Sequence, residues 1–315
     1  MSVPAGAVTS GGGVRRVLVT GPHALEATLS VLRHGAIDPT CRVDGTTWWF
    51  GQATPDGPAT VSVCREGTDV LACAWGPGQQ WSLAHVPGLL GLGDDDTGFV
   101  AHHDVIAQGR RLLRGWRVSA TGLVMQSLIP AIIEQRVTGE EAYGAHARLV
   151  RRFGQPAPGP GAGLGLWVPP APREWARIPS WDWLAAGVDA ARSQTAVHAS
   201  RYAGRVEECA NLPLEVARRR LHALPGVGAW TVAEVAQRAL GDADSPSFGD
   251  YHMARNLTWA LTGEIGDDEQ AAQLLAPYAG HRYRAQRYAL AAAGSVPRRG
   301  PRRSLPSHLP RSRRR

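Results

Sequence analysis

Two stretches of this chain hold the residue types and spacings that could do chemistry: LHALPGVGAWTVAEVAQRAL at 221 to 240, and DSPSFGDYHMARNLTWAL at 244 to 261. In the first, a helix is expected to end near Ala223 and a second to begin near Ala229, with Leu224-Pro225-Gly226-Val227-Gly228 forming a tight turn between them. Two glycines one residue apart permit positive φ and let another backbone approach closely. The free N–H groups at the start of the second helix then face outward, where a phosphate oxygen can accept their hydrogen bonds with help from the helix dipole. The product is a clamp on a sugar-phosphate backbone that carries no sequence preference. A helical hairpin in an ordinary core could use the same turn, so PGVG alone is a moderate signal. In the second stretch Asp250 precedes a helix whose apolar positions include Met253, Leu257 and Leu261. N-capping is a common task for Asp at such a place. It would fix the carboxylate at the mouth of a cleft and leave one oxygen for chemistry.

Other chemical candidates are weaker. His102, His103 and Asp104 invite a metal reading, but adjacent histidines point apart and nothing else stands at ligand spacing, which favours a polar loop. Asp94, Asp95 and Asp96 lack the alternate spacing and terminal Glu of a calcium loop. Cys41, Cys64, Cys73 and Cys209 are too irregularly placed for a disulfide framework or a C-x-x-C site and read as buried thiols. The chain contains no lysine, so all 34 basic side chains are arginine. The net charge is +7, yet residues 296 to 315 hold eight arginines and no acid, so the basicity sits in a tail and the remainder is near neutral.

The elements that must position these residues fall into two regions. Residues 1–118 form a β-rich N-terminal domain, with strands at 17–19, 46–50, 60–64 and 69–75 and the turn-forming TPDGP at 54 to 58 between two of them. Residues 17 to 35 suggest a strand, a turn and an amphipathic helix, but without G-x-G-x-x-G a nucleotide-binding reading is weak. Residues 119–296 are mostly helical. Ser127 is expected to cap a helix from Leu128 to about Thr138, with Pro130 in its first turn. The run 154 to 172 reads as a long loop, followed by helices near 181–190, 194–209 and 212–223. The tail 297–315, rich in Arg, Pro and Ser, reads as disordered: either a sequence-blind tether to phosphates or a solubilising end. With 315 residues and 43% apolar composition the chain can bury a substantial core. It has no apolar run of eighteen residues and no secretory leader, so a cytoplasmic protein with no membrane partner is expected.

Taken together, these stretches resemble the helix-hairpin-helix DNA glycosylase superfamily, and within it the bacterial 3-methyladenine-DNA glycosylase II family. The resemblance runs from about Pro22 to about Gly294. It includes IDPT at 37–40, WGPG at 75–78, GLLGLGDDDTGF at 88–99, IIEQRVT at 132–138, LAAGVDAARSQTAVHAS at 184–200, LPGVGAWTV at 224–232 and GDYHMAR at 249–255, with Trp230 and Asp250 twenty residues apart. It implies an α+β fold: a β-rich N-terminal domain of TATA-binding-protein-like type, then a mostly α-helical helix-hairpin-helix glycosylase region with the cleft between its parts. Asp250 matches the catalytic aspartate and Trp230 an aromatic at the base-pocket wall. Arg136, next to Gln135, falls where the side chain that fills the gap left by an extruded nucleotide is placed. Pro225, Gly226, Val227, Gly228 and Thr231 fall in the DNA-binding hairpin. The backbone carbonyls of His222, Leu224 and Val227 match those that hold a monovalent cation, Na+ or K+, bridging to a DNA phosphate. Two departures concern the base pocket, where Glu234 and Gly294 stand in place of aromatics; Trp48, Trp181 and Trp183 could compensate, although core packing is the commoner role of a tryptophan.

The implied activity is monofunctional excision of damaged, alkylated purine bases from duplex DNA in base excision repair. The enzyme would act as a monomer on bacterial nucleoid DNA, with no catalytic cofactor and no iron-sulfur cluster. Flipping a base out costs least at damaged pairs. A fixed carboxylate can then stabilise the oxocarbenium-like sugar and activate water. Bifunctional relatives use a hairpin lysine to form a Schiff base; with no lysine, base release without strand cleavage is expected. The alternatives are a glycosylase for oxidised or deaminated bases and a non-catalytic binder of damaged DNA.

Overall fold

The computed structural model describes residues 11–296, so the expected disordered tail lies outside the described residues. Five strands form one antiparallel sheet in the order β1-β5-β4-β3-β2: β1 is Gly13–Val17, β2 Cys41–Asp44, β3 Thr47–Thr54, β4 Gly57–Glu66 and β5 Asp69–Trp75. Three two-residue connections set the register. Gly45-Thr46 and Gly67-Thr68 place a positive-φ glycine first, and the Pro55-Asp56 turn foreseen from TPDGP closes the pair Thr54 and Gly57. One sheet face packs Val61, Val63, Val70 and Ala72 against α1 (Leu25–Ser30) and α2 (Gln79–Leu89).

The opposite sheet face is covered by the stretch expected to be a bare loop. Residues 154–172 fold into a strand pair, β6 (Gln155–Pro156) and β7 (Trp167–Val168), around the short turn α6 (Pro160–Gly163). Ala157, Leu166 and Val168 pack on Trp49, Cys73 and Trp75, and the Trp167 N–H donates to the Pro39 carbonyl at 2.8 Å. Gly51 is required here, because a Cβ would run into the Trp167 carbonyl.

The remaining helices are α3 (Asp104–Leu112), α4 (Val124–Glu134), α5 (Gly139–Phe153), α7 (Pro172–Trp175), α8 (Ser180–Ala185), α9 (Ala190–Arg201), α10 (Ala203–Glu207), α11 (Leu214–His222), α12 (Ala229–Val235), α13 (Met253–Thr262), α14 (Asp268–Leu275) and α15 (Arg282–Ala293). None is long and apolar enough to cross a membrane. Helix α4 corrects the expected Ser127-capped helix. It starts at Val124, where the Glu207 carboxylate accepts the N–H groups of Val124 and Met125 at 2.9 and 3.0 Å, and Pro130 lies in its interior. It ends at Glu134 because Arg136 turns left-handed, at φ 57°, and Thr138 begins α5 with a capping box to Glu141.

Two further cores complete the molecule. One surrounds α4 with Leu149, Trp183, Ala196, Leu221 and Val235. The other joins Phe99, Ile106, Trp116 and Val118 to Leu257, Leu275, Tyr283 and Tyr288, so the packing crosses residue 118. Gly109 of α3 lies so close to the Tyr288 backbone of α15 that no Cβ fits.

Candidate active site and nucleic-acid interface

The hairpin forms as its sequence dictates, with one correction. Gly226 adopts φ 82°, and a Cβ there would collide with Thr195 Oγ1 of α9. Gly228 does not share that left-handed conformation: it is extended, at φ −92° and ψ −179°, with open space before it. As the N-cap of α12 it supplies no side chain to cap the helix. Among the described residues the N–H groups of Gly228, Ala229 and Trp230 donate to no acceptor. They are the orphan donors a phosphate would satisfy. Pro225 is exposed at the tip, whereas the Val227 side chain is buried and offers only its backbone.

The carbonyls expected to hold a cation differ in their hydrogen bonding. Those of His222 and Val227 accept no hydrogen bond among the described residues, and that of Leu224 accepts one, from the Val227 N–H at 3.0 Å. Three neutral carbonyl oxygens suit a hard monovalent cation better than a thiophilic metal.

Gln135 reaches the hairpin from the end of α4, with Arg136 next to it in sequence. Gln135 Nε2 donates to the Gly226 carbonyl at 3.0 Å and to Thr231 Oγ1 at 2.8 Å. Thr231 is 1% exposed, which corrects its place among DNA-binding side chains: it braces the turn from inside. Arg136 is exposed, forms no ion pair, and is the one non-glycine residue with positive φ among the described residues. An outlier of this kind costs energy and persists where its surroundings impose it, often at ligand clamps.

Asp250 sits half-buried in the loop before α13. Its Oδ1 accepts the N–H groups of His252 at 2.7 Å and Met253 at 2.9 Å, while Oδ2 accepts no hydrogen bond from a described residue. The loop is pinned on both sides: the Gly249 N–H donates to Asp268 Oδ2 at 2.8 Å and the Ser247 N–H to Gln286 Oε1 of α15 at 3.0 Å. Trp230 lies alongside, since a Cβ on Gly249 would be 3.6 Å from the Trp230 Cβ. The structure therefore brings Trp230 and Asp250 together across those twenty residues.

Glu234 is placed differently from the expected pocket wall. It is buried, with Arg238 Nη1 at 2.6 Å and the Ser247 hydroxyl at 2.7 Å, so both its oxygens are engaged in a strut beneath the Asp250 loop. Burial works against the charge of Arg238, but Glu234 and Glu134 more than offset it and hold the guanidinium protonated. Beside it Glu134 accepts from His34 Nδ1 at 2.7 Å; burial opposes its ionisation, and the His34 contact overcomes that and lowers its pKa. His146, stacked at a tilt 5.7 Å from His34, is buried deeply enough that its pKa falls to about 4.

Two aromatics near the site escaped the sequence reading. Tyr143 on α5 packs over Gly35 and Gly139, and burial followed by the charges of Glu134, Glu234 and Asp250 raises its pKa. Tyr251, adjacent to Asp250, is 73% exposed with the Arg255 guanidinium 5.4 Å from its ring centre. The signal for Tyr251 was its place next to the carboxylate; nothing in the sequence marked Tyr143. Of the compensating tryptophans, Trp48 and Trp183 are core and Trp181 is exposed. Gly294 ends α15 at φ 69°. His103 Nδ1 pairs with the Tyr278 hydroxyl at 2.7 Å.

This architecture, an antiparallel sheet followed by helices that present a hairpin and a capped aspartate together, is similar in fold to solved DNA glycosylases. Among solved structures, it is similar to the 3-methyladenine DNA-glycosylase from Archaeoglobus fulgidus (TM-score 0.73, 17% identity, covering 90% of this chain and 100% of that one). It is also similar to the Clostridium acetobutylicum 8-oxoguanine glycosylase/lyase in complex with double-stranded DNA (TM-score 0.60, 11% identity, 85% and 91% covered). No protein-family model and no curated relative matches the sequence.

Proposed function

We propose that this protein is a monofunctional DNA N-glycosylase that releases damaged purine bases, alkylated ones foremost, from duplex DNA in base excision repair. One observation carries the reading: among the described residues Asp250 has one oxygen held by two backbone donors and the other without a hydrogen-bond partner, beside an aromatic and a hairpin with orphan N–H groups. In the proposed reaction the hairpin grips the backbone and Arg136 fills the space of the flipped nucleotide. Water attacks C1′ as the bond to the base nitrogen breaks, the bonding pair leaves with the base, and the water proton passes to Asp250. An alkylated purine already carries positive charge and leaves neutral, so it needs no strong general acid. His222, Leu224 and Val227 would hold a monovalent cation through their carbonyls; when bound, it would supply positive charge toward a DNA phosphate.

With no lysine to form a Schiff base, we propose an intact abasic strand as product. No iron-sulfur centre is proposed, because the four cysteines sit on separate elements. The partner is duplex DNA, engaged by a monomer at the bacterial nucleoid. The strand, helix, four-strand, helix order of the N-terminal region supports its kinship to half of a TATA-binding-protein fold.

A second reading, excision of oxidised or deaminated bases, is favoured by Glu234 standing where the resemblance leads one to expect an aromatic. The experiment is base release from methylated, oxidised and deaminated duplexes in parallel. Asp250→Asn should lose at least about a hundredfold in rate while still binding duplex. A variant as fast as wild type refutes the catalytic role. Damaged-duplex binding with no release by the wild type would instead make the protein a damage binder.

A further inference from the structure

Away from the hairpin, a cleft of about 320 Å³ opens between α3 and α15. Three hydrogen-bond donors on residues lining it are buried and have no partner among the described residues: Arg284 Nη1, Trp116 Nε1 and Arg117 Nε. Burying a donor unpaired is costly, more so for a charged one. Arg284 is 0% exposed, and its other nitrogens are committed, Nη2 to Asp94 at 2.5 Å and Nε to His281 Nδ1 at 3.3 Å.

The acids of the cleft do not use up its positive charge. Asp94 is satisfied by Arg284 and by the Val118 N–H at 2.8 Å, and Asp96 by Arg110 at 3.3 Å. Arg114 and Arg117 have no acidic partner among the described residues. The Trp116 ring, with the guanidinium carbons of Arg284 and Arg287 at 5.9 and 5.6 Å from its centre, holds that charge in place. Donors without acceptors, together with uncompensated positive charge, call for an acceptor-rich anion.

We propose that this cleft is a second binding site, for a phosphate ester. Its volume exceeds a lone phosphate and falls in the range of small-ligand pockets. The exposed Arg114 and the half-buried Arg117 would donate to the phosphate oxygens, with the buried Arg284 guanidinium supplying positive charge from beneath. The phosphate belongs either to a free nucleoside monophosphate or to a duplex backbone that reaches past the hairpin.

The test uses the whole chain, with Arg114→Glu in the cleft and Arg173→Glu as a distant surface control. Inorganic phosphate and a nucleoside 5′-monophosphate are titrated by calorimetry at constant ionic strength against chloride, and undamaged duplex is titrated across a salt series. A free ligand predicts binding by the wild type that Arg114→Glu weakens about tenfold or more and Arg173→Glu does not. A backbone phosphate predicts no response to the free anions and a logarithmic salt slope smaller by about 0.9 in Arg114→Glu only. Wild-type titrations and salt slope all unmoved by Arg114→Glu, in a variant that melts as the wild type does, overturn the site.

Discussion

The Gln135 side-chain amide holds the Gly226 carbonyl at 3.0 Å and reaches the hidden Thr231 hydroxyl with the same nitrogen. The segment after α4 and the glycine turn are thereby fastened together, and α4 sets the distance between them. Gln135→Leu keeps the bulk and removes both bonds. It should cost about 1 kcal/mol of stability by chemical denaturation and weaken duplex binding severalfold. A wild-type duplex affinity would show that the fastening does not matter for recognition.

Arg136 separates stability from function. A left-handed arginine pays a steric cost that glycine does not, so Arg136→Gly should leave stability unchanged or raise it by up to about 1 kcal/mol. The same change removes the side chain proposed to fill the flipped nucleotide's place, so base release should slow. Faster release in the glycine variant contradicts the wedge role.

At Gly226 two demands coincide, positive φ and the nearness of Thr195. Gly226→Ala should destabilise by roughly 1 to 3 kcal/mol. In a Thr195→Ala background the steric part of that loss should be recovered and the backbone part retained. Thermal melts of the four proteins measure both.

The pH dependence of stability should carry the mark of His146. Burial lowers its pKa from 6.5 to about 4, so between these values the unfolded chain binds a proton that the folded one refuses. Stability is complete above about pH 6.5 and falls by about 3 kcal/mol as the pH drops to about 4. Glu134 adds in the same direction at lower pH, because its lowered pKa gives stability that is lost as it protonates. His146→Gln should flatten the slope between pH 6.5 and 4; an unchanged slope in urea titrations excludes His146 as its source.

Strands β3, β4 and β5 and the hairpin were legible because their signals are local: alternating residues, a Pro-Asp-Gly turn, and a glycine that only a left-handed turn requires; the strand expected at 17–19 instead ends at Val17, and β2 carried no such signal. The spare oxygen of Asp250 was legible for the same reason, since its capping partners are two and three residues away. Helix α4 was not. Ser127 and Pro130 look like a helix start, but the cap is Glu207, far along the chain. Glu234 was read as a pocket wall because spacing puts it one turn after Trp230, and spacing says nothing of Arg238 and Ser247, which draw it inward. The arginine cleft joins residues from four separate segments, and no periodicity announces it.

The core that joins Phe99, Ile106 and Trp116 to the C-terminal helices has a consequence for synthesis. Phe99, Ile106 and Trp116 find most of their buried packing partners in residues 253 to 289. During translation the early segment must keep this apolar surface uncovered until α15 has left the ribosome, and the loop bearing Asp250 gains its Gln286 anchor only at that moment. The last anchor of the Asp250 loop and closure of this core are thus one late event, and a chain halted before Arg282 would lack both.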